Sequence, residues 1–241
     1  MCCIYRAWER ALCVGHDNIQ LFREPVGQAS LFDEYIHVEY EPEIFDIVVR
    51  SIQSKIGTEA YRSVYYATLS AEEDALDAAY RFLIAGFKQG KSVMNQLTNP
   101  AVMRMMEIRR RVGNEAHYFV EFARFVSLDG ELYICHLEPK SDVIWLVAEH
   151  FSDRMPSENW MIIDVSRSYA VIHPLDGENY VRRLTKEEMD RLERTEDMKD
   201  EYTTLWKTFF DSIAIRQRKN DSCQRNHMPI WMRKHATEFR D

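Results

Sequence analysis

The hydrophobic pattern of the chain changes period near Phe122, and Asp129-Gly130 sits where the new pattern turns back on itself. Phe122 to Leu128 and Glu131 to Leu137 are dense in aromatic and aliphatic residues. Asp-Gly between two such runs is a preferred pair for a two-residue type I′ turn, because both central positions need positive φ. The pair therefore predicts a hairpin. Pro139 blocks further strand, Ser141 or Asp142 can cap a helix, and Val143, Leu146, Val147 and His150 fall on one helical face. Trp160 to Val165 and Tyr169 to His173 read as a second hairpin around Ser166 and Arg167. The local order is β-β-α-β-β.

The chain before this point is mostly helical. Pro42 suits the first turn of a helix whose apolar positions Phe45, Val48, Val49, Ile52 and Ile56 recur at helical spacing until Gly57. Ser70 with Glu73 is a capping-box signature for a second helix, with Leu76, Tyr80, Leu83, Ile84 and Phe87 as its stripe. A third spans roughly Val102 to Glu121. Residues 1 to 41 read as irregular, with strand-like pieces at Ile19 to Phe22 and Ile36 to Tyr40 around Pro25 and Gly27. Near the other end, Thr185 with Glu188 caps a long acid-rich helix that carries Tyr202, Leu205, Trp206, Phe209 and Ile213 as a buried stripe. The expected fold is α+β: a helical N-terminal half, a small antiparallel sheet from two β-hairpins flanking a central helix, and C-terminal helices. Residues 1–77 form a mixed, mostly helical region and 78–241 an α+β domain, or the two are continuous.

Composition narrows the function classes. At 241 residues and 46% hydrophobic content the chain buries a core without staples. The net charge of -8 argues against a uniformly basic nucleic-acid coat, although local charge is what a ligand meets. Five cysteines with no C-x-x-C pair make a disulfide framework or thiolate metal cage improbable. Arg6, Glu9 and Arg10 interrupt the opening apolar stretch, unlike a secretory signal, and no apolar run approaches the roughly 20 residues that span a bilayer. The expectation is a cytoplasmic protein with no membrane contact. No G-x-G-x-x-G or P-loop marks a nucleotide cofactor.

Chemistry-bearing residues concentrate between Glu115 and Arg167. His117, Glu121 and Arg124 stand at i, i+4 and i+7, one helical face on which a His and a carboxylate chelate an ion, trade a proton, or form a salt-bridged surface in which Glu121 holds Arg124. A two-residue hairpin loop would instead put Leu128 opposite Glu131, Ala123 opposite His136 and Glu121 opposite Glu138. Glu121, His136 and Glu138 would then share one side of the ribbon as candidate catalytic groups or metal ligands. A one-residue slip in register removes that arrangement. His150, Asp153 and Arg154 close the central helix, with His150 on its apolar face, and Asp153 with Arg154 and Asp164 with Arg167 suit structural ion pairs as well as a site.

At the C terminus Arg216, Asn220 and Gln224 recur every four residues as a ladder of donors for phosphates, base edges or the chain's own carbonyls. Seven Lys or Arg stand against three acids between Arg216 and Asp241, with Trp231 and Phe239 interleaved, and Arg104 to Arg111 adds four Arg against one Glu. Basic groups beside aromatics suit single-stranded nucleic acid, or a solvated tail that offsets the acid-rich helix.

These motifs resemble a known bacterial family. The match runs from roughly Ala78 to the C terminus, through V-x-x-E-A-H at Val112 to His117, R-F at Arg124 and Phe125, and E-P-K at Glu138 to Lys140. It continues through H-F-x-D-R at His150 to Arg154, W-x-x-x-D-x-x-R at Trp160 to Arg167, L-W at Leu205 and Trp206, and R-x-x-x-N-x-x-x-Q-x-x-x-M-P at Arg216 to Pro229. S-L-F-D-E-Y at Ser30 to Tyr35 also fits. That family carries the label of DNA metabolism or DNA repair, drawn largely from gene neighbourhood and fusion: its members sit beside a radical SAM protein, and some relatives carry the domain fused to a uracil-DNA glycosylase. The chain departs from the family pattern after Pro229, where Ile230, Trp231 and Met232 stand in place of a basic and aromatic run.

The resemblance implies a DNA partner and names neither a reaction nor a cofactor. Two readings follow. One is a nucleic-acid-binding accessory factor that holds DNA with Arg124, Arg154, Trp160, Arg167, Arg216, Asn220 and Gln224. The other is a metal-dependent hydrolase acting on nucleic acid, with Glu121, His136 and Glu138, or His117 and His150, as ligands or acid/base groups, and with Glu115, Asp153 and Asp164 nearby in sequence.

Overall fold

The computed structural model describes residues 1–24, 30–196, 201–213 and 220–239. The chain divides into two compact units, Met1–Gly113 and Asn114–Asp241. The first is built from helices α1 (Cys2–Val14), α2 (Pro42–Lys55), α3 (Thr58–Leu69), α4 (Ala75–Gln89) and the opening turns of α5 (Pro100–Phe122). Its core is Ile52, Ile56, Ala60, Val64, Ala67, Ala79, Phe82, Leu83, Met105 and Ile108, all buried. Small residues at Ala60, Ala67 and Ala79 let these helices approach closely. Pro42 opens α2 as its lone N–H-free residue requires.

Two helices of this unit are not obvious in the sequence, for opposite reasons. Helix α1 buries Cys2, Ile4, Ala7 and Ala11, while the charges that interrupt its apolar run lie outside: Arg6 pairs with Glu9 (2.9 Å) and Glu41 (2.8 Å). Helix α3 buries Ala60, Ser63, Val64 and Ala67, residues too small to leave a strong hydrophobic period. The strand-like pieces at Ile19 to Phe22 and Ile36 to Tyr40 join no sheet. The first is extended, and α4 side chains satisfy its backbone: Arg81 donates to the carbonyls of His16 (2.6 Å) and Ile19, and Asp77 accepts from the Leu21 N–H (3.1 Å). Ser70 accepts from the Glu72 N–H (3.1 Å) in a turn ahead of α4, so it does not cap a helix that starts at Ala75.

The second unit is α+β. Strands β1 (Phe125–Leu128), β2 (Leu132–Leu137), β3 (Trp160–Asp164), β4 (Tyr169–His173) and β5 (Tyr180–Arg183) form one five-stranded sheet in sequence order. The two expected hairpins flank the central helix α6 (Ile144–Arg154), as the β-β-α-β-β order requires. Because α6 carries the chain back across the sheet, the hairpins join through a parallel β2/β3 pair, and the sheet is antiparallel everywhere else. Tyr180–Arg183 adds an edge strand whose four residues are all exposed.

Each face of the sheet has its own cover. Phe125, Trp160 and Phe151 meet on the side of α6, with ring centroids of Phe125 and Phe151 4.8 Å apart. On the opposite side Ile134, Ile163 and Ala170 pack with Met189 and Leu192 of α7 (Lys186–Glu196). Thr185 and Glu188 cap α7 reciprocally, the Thr185 N–H reaching Glu188 at 2.9 Å and the Glu188 N–H reaching the Thr185 hydroxyl at 3.3 Å. The acid-rich segment continues as a separately described helix α8 (Glu201–Ile213). Of its expected buried stripe, Leu205, Trp206, Phe209 and Ile213 are exposed, and the Tyr202 side chain lies outside the described residues. Helix α9 (Asp221–His227) and a 3-10 turn at Ile230–His235 close the described chain with Thr237–Phe239. No helix among the described residues is long and apolar enough to cross a membrane.

The first hairpin corrects the sequence-derived register by one residue. The turn itself is as expected: Asp129 (φ 54°) and Gly130 (φ 75°) are both left-handed and the Glu131 N–H bonds the Leu128 carbonyl at 3.1 Å. Glu131 is then left out of the ladder, so Leu128 pairs with Leu132 and Phe125 with Cys135. Helix α5 persists to Phe122, so Glu121 and Ala123 never enter the strand and Glu121 does not face Glu138.

Trp160 anchors the α6 face. It is fully buried, its indole N–H donates to the Met155 carbonyl at 3.2 Å, and it stacks on His173 with ring centroids 4.8 Å apart. Trp160→Ala is expected to cost about 3–5 kcal/mol in urea unfolding. A loss below about 1 kcal/mol, the size of an ordinary surface change, would contradict this placement.

Candidate functional site

Asp164 ends β3 and Arg167 lies in the turn that follows, a spacing that brings their side chains together. The Asp164 carboxylate accepts from the Arg167 guanidinium at 2.7 Å and from the Arg167 backbone N–H at 2.9 Å. Asp164 is fully buried, and that burial pushes its carboxyl above the ordinary aspartate range, against the downward pull of Arg167. Arg167 also donates to the carbonyls of Pro139 (3.1 Å) and Lys140. The same loop is held from α5, where the Glu115 carboxylate accepts from the N–H groups of Lys140 (2.6 Å) and Ser141 (3.2 Å). Tyr169 of β4 donates its hydroxyl to Asp142, and burial followed by this bond raises the phenol well above its usual pKa. Residues 139–142 are therefore fixed through backbone and side chain by three side chains, one each from α5, the β3–β4 turn and β4.

That rigid loop carries one exposed cation against one aromatic. The Lys140 ammonium lies 4.7 Å from the ring centroid of Trp231, which in turn packs its edge against Phe119 at 5.9 Å. The 3-10 turn that holds Trp231 runs along the end of β2. Glu138 accepts from Lys234 at 2.7 Å with His235 3.7 Å away, and the ring of His235 lies 6.4 Å from that of buried His136. His136 and Glu138, predicted on one side of β2, do converge, and His235 joins them in place of Glu121. Among the described residues no group of three or more His, Cys, Asp or Glu is arranged to hold a metal ion.

A second cluster surrounds Arg124. Its guanidinium binds Glu238 at 2.6 Å and 3.2 Å and lies 5.0 Å from the Trp206 ring centroid, while the Trp206 indole N–H donates to the same carboxylate at 3.3 Å. The Glu238 side chain is only 4% exposed, so its charge is neutralised by Arg124. Arg233 lies over Phe239 at 4.6 Å. Arg124 is thus held by Glu238, not by the Glu121 carboxylate. Glu121 pairs with His117 at 3.1 Å on the exposed helix surface.

The remaining sequence candidates separate from this centre. His150, Asp153 and Arg154 are exposed, and His150 contributes an edge contact with Phe151, so it does not lie on the buried face of α6. Among the described residues no ion pair joins Asp153 to Arg154. Trp160 is enclosed in the core, and Arg167 is occupied by Asp164 and two carbonyls. Asn220 caps α9, accepting from the Cys223 N–H at 2.9 Å, which accounts for one of the three members of the expected ladder; Gln224 follows on α9, and Arg216 lies outside the described residues.

The basic run on α5 is largely neutralised within the first unit. Arg104 binds Glu72 and Asp74, Arg109 binds Glu59, and Arg111 binds Glu72. Lys140, Trp231 and Tyr169 were the functional signals hardest to read. Lys140 sits in the E-P-K motif, but nothing local indicates that Trp231 comes to meet it.

The Asp164–Arg167 pair yields two stability expectations. Asp164→Ala leaves a part-buried guanidinium without its carboxylate, and should cost about 3–5 kcal/mol in urea unfolding. Because burial raises the native Asp164 carboxyl, the native state holds that proton more tightly than the unfolded chain. Stability from this group then falls as pH rises from the unfolded value of about 3.9 to the native one. Wild-type stability relative to Asp164→Asn should decline across that interval and level off above it. A rise across the same interval contradicts the dominance of burial.

Comparison of the chain with curated proteins and with solved structures found no match in either. A protein-family model does match, over residues 73–238, and its description is "Domain of unknown function (DUF4130)". The match covers more than half of the chain, including every element from α4 to the 3-10 turn at Ile230–His235, and the 139–142 loop, Trp231, Asp164 and Glu238 fall inside it. The chain belongs to the DUF4130 family.

Proposed function

We propose that this protein is a nucleic-acid-binding accessory factor of DNA metabolism or repair, acting in the cytoplasm beside a radical SAM protein or a uracil-DNA glycosylase. The observation that carries the reading is Lys140 beside Trp231 on a loop immobilised by Glu115, Arg167 and Tyr169. A cation next to an aromatic face neutralises a phosphate while a base stacks on the ring, and a loop already ordered loses little entropy on binding. Lys234, paired with Glu138, and Arg233, set over Phe239, stand on the same 3-10 turn as Trp231.

A second reading, a metal-dependent hydrolase acting on nucleic acid, has one observation in its favour: His235 of the C-terminal turn meets His136 and Glu138 at the end of β2, a set that would have to rearrange to hold an ion. In that reading Mn or Mg must displace Lys234 from Glu138 and raise the unfolding temperature.

Fluorescence anisotropy with a single-stranded oligonucleotide separates the two. Trp231→Ala should weaken binding by about 1–3 kcal/mol, and Lys140→Ala should reduce the slope of log affinity against log salt by about 1. Absence of binding at low salt, or variants that bind like wild type, overturns the proposal. A metal-dependent rise in unfolding temperature that is lost in Glu138→Gln moves the balance to the hydrolase.

A further inference from the structure

Leu31 and Phe32 are 96% and 97% exposed, the most exposed large apolar residues among those described. They are adjacent, and they stand at the tip of a turn whose base is tied down. The Ser30 N–H donates to the Tyr35 hydroxyl at 2.9 Å, the Tyr35 ring leans on Phe22 with centroids 6.2 Å apart, and Glu34 pairs with Arg10 of α1 at 2.8 Å. The tip is presented while its flanks are held. Two neighbouring large side chains left wholly in water are poor candidates for folding energy, and mark a surface that another molecule covers.

The chemistry around the tip specifies that molecule. From Ser30 to Glu41 the sequence S-L-F-D-E-Y-I-H-V-E-Y-E contains Asp33, Glu34, Glu39 and Glu41 and no Lys or Arg; Glu34 and Glu41 are already matched by Arg10 and Arg6, so Asp33, next to the apolar pair, is the acid that counts. An acidic peptide with a Leu-Phe pair complements a protein cleft that has adjoining apolar pockets and a cationic rim. In sequence Gln28 precedes the pair, which gives Gln-Ala-Ser-Leu-Phe, an amide donor and acceptor four residues before the aromatic anchor. A nucleic acid is disfavoured as the occupant, since its phosphates would meet these carboxylates.

We infer that Ser30–Glu34 is a docking peptide for a cation-rimmed apolar cleft on a DNA-bound protein, of the kind that the ring-shaped sliding clamp of replication presents. Leu31 and Phe32 are the anchors and Asp33 faces the basic rim. The choice of a DNA-bound partner rests on the function proposed above. In that arrangement the peptide brings the protein to DNA, and the second unit makes its own contacts there.

The test uses the full chain and purified bacterial sliding clamp, without DNA, by surface plasmon resonance, together with oligonucleotide anisotropy and size-exclusion chromatography with light scattering. Wild type should bind the clamp. Leu31→Ala with Phe32→Ala should weaken that binding about 30-fold or more, as expected for two central anchors, at unchanged unfolding temperature and unchanged oligonucleotide affinity. Asp33→Lys should weaken it while leaving the apolar anchors in place. Lys140→Ala should leave clamp binding untouched, so loss of oligonucleotide binding and loss of docking report on separate claims. No clamp binding by wild type overturns the inference, as does equal binding by the double variant. A wild-type dimer that the double variant dissociates also overturns it, by making a second copy of the chain the occupant.

Discussion

The buried Asp164–Arg167 pair is the interaction on which the second unit's polar architecture depends. Removing a carboxylate from water costs several kcal/mol, and a single guanidinium contact rarely offsets it. Here the guanidinium is shared between Asp164 and the carbonyls of Pro139 and Lys140, so the charges hold one another and the turn of chain between β2 and α6. Sheet topology makes this reachable. Leu137 and Asp164 are partners in the parallel β2/β3 pair, so the chain leaving β2 emerges beside the turn that carries Arg167. Glu115 and Tyr169 then complete the loop from two further directions.

Cations are used in two ways, and both occur in each unit. In the first way, arginines on α5 are matched by Glu59, Glu72 and Asp74, and this pairing consumes a run that looks basic in the sequence. In the second, cations sit against aromatic rings, with Arg124 by Trp206, Lys140 by Trp231 and Arg233 by Phe239. Surface ion pairs of the first kind contribute little to stability and fix orientation, whereas a cation held beside a ring keeps a stacking face and a positive charge together. The net charge of -8 therefore says little about where an anionic ligand would meet the protein.

Local chemistry was the legible part of the sequence. Asp129-Gly130 gave the turn, Pro42 the start of α2, Thr185 with Glu188 the start of α7, and Asp164 with Arg167 an ion pair. What could not be read depends on contacts between distant segments. The extra residue at Glu131 shifts the hairpin register without changing the turn, whereas α5 runs to Phe122, within a residue of the end expected for it, which keeps Glu121 out of the strand. Helix α3 is hidden because its buried face is made of Ala, Ser and Val. In the site, His136 and Glu138 were found from alternation along one strand. His235 and Trp231 were not, because no local rule places a C-terminal turn against β2. Trp160 was misread as a ligand-facing aromatic since an indole that bonds a backbone carbonyl looks the same in sequence as one that stacks on a base.

The central claim is that the loop pinned by Asp164 and Arg167 presents Lys140 and Trp231 as the nucleic-acid contact. Two-dimensional amide NMR of the isotope-labelled chain titrated with a short oligothymidine tests it most directly. The account predicts shifts at the Lys140 and Ser141 amides and the Trp231 indole, with the Trp160 indole unmoved. Shifts that spare these groups and fall elsewhere, or a spectrum that does not respond, would contradict it.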